Sequence, residues 1–352
     1  MTATSRHHRV VRAGAYSLRV LPRTIAVTGL LLVMTLLLAV VAMTVGSLGI
    51  SFSDVAHHIL PTGPVDLDGA HRDGHVVRNI RLPRVITAMS AGAGLAVSGA
   101  VFQSISRNAL GSPDVIGFTT GAATGAIIQI VLFEGGPLHI AAGAVGGGVL
   151  TAGVVYLLSR KAGVSGGYRL VLVGIGVGAV LAAINGLLLV LGDLDNAVAA
   201  NLWLSGSLDA RNWGHALAVT AGVGLLVPVV LVFARHASLM ELGDDAASAL
   251  GIPVERVRII LMLAAVMLAG VATGASGPIA FVALAAPQLA TRLTRSPTLP
   301  VISAAAMGAC LLVAADILTQ TLPIAASIPI GRMTGIIGGI YLIWLLTRSN
   351  QT

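Results

Sequence analysis

The chain has 352 residues, 56% of them hydrophobic and only 10% charged, whereas soluble domains carry about 25% charged residues. A soluble fold of this length has too little interior for so much apolar side chain, so the bilayer is the expected solvent for most of the chain. The net charge of +7 is almost wholly arginine lying between apolar runs, which points to membrane topology rather than to nucleic acid.

A helix needs about 20 apolar residues to cross the hydrocarbon core. Ten runs qualify in chain order: 25–45, 85–104, 115–133, 140–158, 170–191, 216–233, 259–275, 279–293, 301–318 and 333–346. The first follows a basic tail (residues 1–24), but its apolar stretch exceeds the roughly 7–15 residues of a signal-peptide core and is read as a retained helix. Residues 25–347 form a single transmembrane domain and 348–352 a short second tail. Several spans are short, the eighth most of all, and short or Gly/Pro-interrupted spans occur where helices line a pathway.

Ten spans put both termini on one side. With that side cytoplasmic, the inner segments hold 15 basic residues and the outer ones six: Arg72, Arg78, Arg81, Arg84, Arg211 and Arg332. That satisfies the positive-inside rule, and the reverse orientation violates it. The chain has 43 glycines, and small residues let membrane helices approach closely. Five pairs stand four apart: Gly121 and Gly125, Gly143 and Gly147, Gly174 and Gly178, Gly270 and Gly274, Gly335 and Gly339. Cys310 is the sole cysteine and forms no internal disulfide.

Four segments carry information beyond the spans. Arg81-Leu-Pro-Arg84 stands at the mouth of the second span, against the charge rule. It fits an anionic docking partner through bidentate arginine contacts, or arginines snorkelling onto headgroups. Arg107-Asn-Ala-Leu-Gly-Ser-Pro-Asp114 reads as an inner turn, with Asp114 placed to cap the third span. Within the inner loop 238–253, Leu239, Leu242, Ala246, Ala249 and Leu250 share one helical face, with Asp244 and Asp245 mostly elsewhere and Gly251 before Pro253 as a stop. A surface helix bearing carboxylates is repelled by anionic lipid, so a protein partner fits better than a membrane surface. Gly277, Pro278 and Pro287 predict a broken or kinked eighth span, for packing or for lining a pathway.

In order and spacing these motifs resemble the FecCD family of ABC permeases, which import ferric siderophores, haem and cobalamin. Further segments carry the likeness: Ser98-Gly99-Ala100 with Gln103, Gly206-Ser207-Leu208 between Trp203 and Trp213, and Ile328-Pro-Ile-Gly331 with Thr334-Gly335. The resemblance implies an all-α polytopic fold of about ten transmembrane helices, the type II ABC importer permease, in a bacterial inner membrane. It implies a permease dimer, homo- or heteromeric, two ATPase subunits and an extracytoplasmic substrate-binding protein. Arg81 and Arg84 then meet acidic residues of the binding protein. The helix with Leu242, Gly243, Asp244, Asp245, Ala246, Ala249, Leu250 and Gly251 docks on the ATPase. This chain binds no metal or cofactor of its own, and ATP-Mg belongs to the ATPase. The sequence departs from the family in places. Gln288 and Thr291 follow Pro287 where relatives often carry His and Arg, and Gln320 stands where some place a third docking arginine, for which Arg332 substitutes.

Other classes fit less well. An ion-coupled secondary transporter needs ionisable groups within the membrane, and the sole acid well inside an apolar run is Asp316. An intramembrane enzyme needs a nucleophile or metal set at depth, and all nine histidines fall outside the spans. His71 and His75 have i, i+4 spacing, but Gly69 and Gly74 disfavour a helix there. A fused ATPase needs a P-loop lysine, and the one lysine, Lys161, is followed by Ala162. The low polarity of the second and fifth spans suits a large chelate that needs a smooth passage.

Overall fold

The computed structural model describes residues 9–13, 16–46, 48–59, 70–161, 164–165, 167–296, 298–322 and 328–349. The basic tail contains an antiparallel hairpin of β1 (Arg9–Ala13) and β2 (Tyr16–Val20), with Arg9 opposite Val20. Val10, Val11, Tyr16 and Val20 supply the strand preference. Then come α1 (Pro22–Thr44), α2 (Phe52–Ile59) and α3 (Ala70–Val76), which runs through a π turn (Val77–Arg81) into α4 (Leu82–Ser106). Next are α5 (Phe118–Val131), α6 (Pro137–Ser159), a small hairpin of β3 (Arg160–Lys161) and β4 (Val164–Ser165), α7 (Gly167–Leu191) and α8 (Leu194–Leu204). The chain closes with α9 (Trp213–Met240), α10 (Asp244–Ala249), α11 (Val254–Ser276), α12 (Val282–Thr294), α13 (Val301–Thr321) and α14 (Ile330–Ser349).

Each expected span falls on one helix. Among the described residues seven helices are long and apolar enough to cross a bilayer, α5 and residues Ile330–Ile343 of α14 are apolar but shorter, and α12 has 13 residues. Three expectations of local structure fail. His71 and His75 lie in α3, because a helix already nucleated in α4 extends upward at little cost and one glycine subtracts only about 1 kcal/mol. The eighth span starts at Val282 rather than 279, since residues 277–280 are not helical. The inner loop is not one helix from Leu239 to Leu250. Instead α9 runs on to Met240, the chain turns at Gly243 (φ +123°), and α10 spans six residues.

The bundle is organised around α4, which packs against α9, α11, α12 and α13. With α11 and α13 it is mostly buried, whereas α1, α7 and α9 expose most of their length. Their exposed Leu, Ile and Val side chains suit lipid or another membrane helix. α5 lies between α6 and α7. Four of the five glycine pairs sit at these seams. A Cβ on Gly125 would stand 2.0 Å from the Gly143 carbonyl oxygen, and one on Gly174 2.5 Å from that of Ile116. The fifth pair, Gly335 and Gly339, faces open space. α8 and α10 stand at opposite ends of α9 and define the two ends of the bundle.

Candidate functional site

At the α8 end the two arginines of the Arg81–Arg84 motif have different surroundings. Arg81 belongs to the π turn and is 7% exposed. Its guanidinium donates to the Met43 carbonyl at 2.6 Å and the Leu48 carbonyl at 2.5 Å, bracing the segment after α1. Burial drives this pairing, because a desolvated guanidinium without acceptors is costly. Arg84, in the first turn of α4, forms a bidentate pair with Asp316 of α13, Nε to Oδ2 at 3.0 Å and a terminal nitrogen to Oδ1 at 2.8 Å. Its other terminal nitrogen meets Asp209 at 2.6 Å. Asp316 is 1% exposed and Asp209 61%, so one carboxylate is a buried counter-ion and the other reaches the surface. Gln320 also donates to Asp316, at 2.9 Å. Thus the departure at Gln320 serves the buried carboxylate.

The predicted break of the eighth span is a backbone junction. Gly206, Gly277 and Gly331 meet at the α8 end, where Ser207 N–H donates to the Ser276 carbonyl at 2.8 Å and Gly331 N–H to the Gly206 carbonyl at 3.3 Å. A Cβ on Gly277 would lie 2.6 Å from the Trp203 carbonyl oxygen. Pro287, by contrast, sits inside α12 without ending it. Gln288, the next residue, donates to the Ala109 carbonyl at 2.6 Å and so fastens α12 to the 107–114 turn.

At the α10 end Leu242 is 70% exposed and Leu250 63%. Ala246, Ala249, Asp245 and Gly251 are exposed beside them, while Ala247 and Ile252 anchor the segment. An apolar face of this kind needs a partner. Behind it lies a charge network that a turn-only reading of Arg107–Asp114 misses. Asp244 pairs with Arg107, and with Arg258 at 2.7 Å; Arg258 pairs with Glu255 at 2.7 Å, and the Tyr156 hydroxyl donates to Glu255 at 2.7 Å. Ser104 donates to Glu241 at 2.5 Å. The network joins α10 to α4, α6 and α11 as one unit. Asp114 does not cap α5; its Oδ1 accepts from the Thr119 hydroxyl at 2.5 Å, and Gly117 occupies the N-cap.

Arg332, at the start of α14, is exposed and donates to the Ser205 hydroxyl at 3.0 Å. Among the described residues no group of three or more His, Cys, Asp or Glu side chains converges as a metal set would.

A sequence profile described as the FecCD transport family matches residues 31–348. The chain is 44% identical, over 78% of its length and 83% of the relative's, to the ferric enterobactin transport system permease protein FepG of Escherichia coli (strain K12). It is 38% identical, over 80% of its length and 86% of the relative's, to the iron(3+)-hydroxamate import system permease protein FhuG of Bacillus subtilis (strain 168). Its fold superposes on an inward-facing metal-chelate type ABC transporter with a TM-score of 0.80 at 26% identity, covering 92% of this chain and 99% of that one. The match of the profile across nearly the whole chain, with two relatives above 30% identity, shows that the chain belongs to the FecCD transport family.

Proposed function

We propose that this chain is the transmembrane permease of an ATP-driven importer of ferric siderophores. The observation that carries the reading is the sequence identity with permeases named for ferric enterobactin and iron(3+)-hydroxamate. The geometry supports a division of labour. The α10 end is assigned to the cytoplasm, where most basic residues outside the spans fall. There a separate ATPase, which holds ATP-Mg, docks on Leu242, Ala246, Ala249 and Leu250. The ion pairs of Asp244 carry its movement into α4 and α11. The α8 end is assigned to the outside, where carboxylates of an acidic binding protein displace the exposed Asp209 from Arg84 while Arg81 braces the surface. A second copy or a paralogous permease completes the channel, and transport follows from ATP-driven preference for one of two arrangements of the bundle.

The test is uptake of radiolabelled iron, presented as a panel of ferric siderophores and haem beside labelled cobalamin, in cells with and without the chain. Loss of one or a few ferric siderophores supports the proposal. Selective loss of haem or cobalamin reassigns the substrate within the same machinery. Unchanged uptake of the whole panel, in cells lacking a redundant permease, overturns it and reopens an ion-coupled transporter.

A further inference from the structure

Polar side chains at membrane depth are costly and mark pathways. A cavity of about 430 Å³ between α5, α7, α8, α14 and the non-helical stretch before α12 is lined by Asp114, Thr119, Asn185, Asn201, Ser205 and Arg332. Its volume falls within the range of small-molecule sites, about 300–1,000 Å³. Asn185 is six residues from the α8 end of α7, about 9 Å at 1.5 Å per residue. It is 8% exposed, and its side-chain oxygen has no hydrogen-bond partner. A buried amide oxygen left unpaired costs free energy that a donor on a ligand or a water recovers.

The charges lining the cavity are unequal in availability. Asp114 is the one acid on the wall, and its Oδ1 already accepts from Thr119. Arg332 is exposed, spends one contact on Ser205, and forms no ion pair with a carboxylate among the described residues. This differs from Arg81, buried against two carbonyls, and Arg84, held by two carboxylates. A guanidinium with donors to spare beside side-chain amides matches a ligand rich in anionic oxygens.

We propose that this cavity is a binding site for an anionic, oxygen-rich ferric chelate on its way through the permease. Arg332 receives the negative charge, and Asn185 and Asn201 hydrogen-bond the chelate's periphery. The inference rests on the iron-chelate reading and adds a site and a charge preference to it. It also moves Arg332 from protein docking to ligand binding. The lipid-like smoothness expected of the fifth span is therefore interrupted at Asn185.

The test uses the intact permease–ATPase complex in lipid nanodiscs. Binding of an iron-55 tris-catecholate complex, which is anionic, is compared with that of an uncharged tris-hydroxamate complex. R332Q is expected to weaken tris-catecholate binding about tenfold, the scale of a lost charge-assisted contact, and to leave the tris-hydroxamate within about twofold. N185L is expected to weaken both, and unchanged thermal unfolding of each variant excludes a folding defect. Equal binding by wild type and R332Q overturns the proposal. So does an R332Q effect confined to affinity for the chelate-free binding protein, which returns Arg332 to docking. Loss of iron uptake on deletion, with R332Q binding normally, sinks the cavity alone. Full uptake after deletion sinks the iron-chelate reading and this inference with it.

Discussion

Arg84 on α4 and Asp316 on α13 form a bidentate ion pair between two central helices of the bundle, and Asp209 reaches the same guanidinium from the surface. The two carboxylates differ in worth. Removing one partner of a buried pair leaves an uncompensated charge and costs about 3 kcal/mol or more, whereas an exposed pair contributes under about 1 kcal/mol. Asp316→Ala is therefore expected to lower the unfolding temperature of the complex clearly, and Asp209→Ala hardly at all. Equal shifts would show that Asp316 is not the principal counter-ion. The double change Arg84→Met with Asp316→Leu, which removes both charges, is expected to restore most of the stability. Uptake that stays low in that variant then reports on docking alone.

Arg81 gives a second test, because its donors go to the carbonyls of Met43 and Leu48 rather than to solvent. Arg81→Ala strands two acceptors, at about 1–3 kcal/mol for each one that stays buried. The expected result is reduced thermal stability that accompanies any loss of uptake. Arg81→Ala with wild-type stability but no binding-protein association would put the side chain on the docking surface instead.

How much of this was legible in the chain differs between elements. A helix at each of the ten apolar runs was, because a bilayer demands long apolar runs and little else competes with that signal, although among the described residues only seven of these helices are long and apolar enough to cross by themselves. The partner of Asp316 was partly within reach: an isolated acid in an apolar run needs a cation, and Arg81 and Arg84 were both out of place, although nothing in the motif chose between them. The π turn that buries Arg81 was not, since nothing in Arg81-Leu-Pro-Arg84 separates a buried guanidinium from an exposed one. Likewise the 107–114 turn explained itself locally through Gly111 and Pro113, which hid the long-range role of Arg107. The face of α10 was readable at Leu242 and Leu250, but its helix was overdrawn because residues 241–243 keep helical spacing while Gly243 breaks the backbone.

At the α10 end, exposure and anchoring predict opposite phenotypes. Leu250 is 63% exposed, and surface substitutions usually change stability by less than about 0.5 kcal/mol. Leu250→Asp is expected to leave the unfolding temperature of the permease unchanged while abolishing co-purification of the ATPase. Asp244 joins Arg107 and Arg258, whereas its neighbour Asp245 is exposed. Asp244→Ala is thus expected to destabilise by about 1–3 kcal/mol, leaving the 3%-exposed Arg258 with Glu255 alone, and Asp245→Ala to be neutral. Retention of the ATPase by Leu250→Asp would exclude this face as the docking surface.

The glycines provide the sharpest contrast between sequence pattern and structure. Gly277 and Gly335 both belong to motif segments, yet their surroundings are opposite. Gly277 has φ +71° and ψ 177°, a conformation open in practice only to glycine, and a Cβ there would press on the Trp203 carbonyl and the Gly206 Cα at 2.6 and 2.9 Å. Relief requires parting α8 from the α11–α12 junction, and the glycine-only backbone alone costs about 1–3 kcal/mol. Gly335 lies inside α14 with nothing within 4 Å of the added carbon, so alanine there gains about 0.5–1 kcal/mol of helix stability. Gly277→Ala is expected to lose most folded protein on detergent extraction, measured by monodisperse yield, and Gly335→Ala to retain it. A low yield from Gly335→Ala would mean that this face of α14 is covered by another subunit in the membrane, packed as closely as Gly125 is on Gly143.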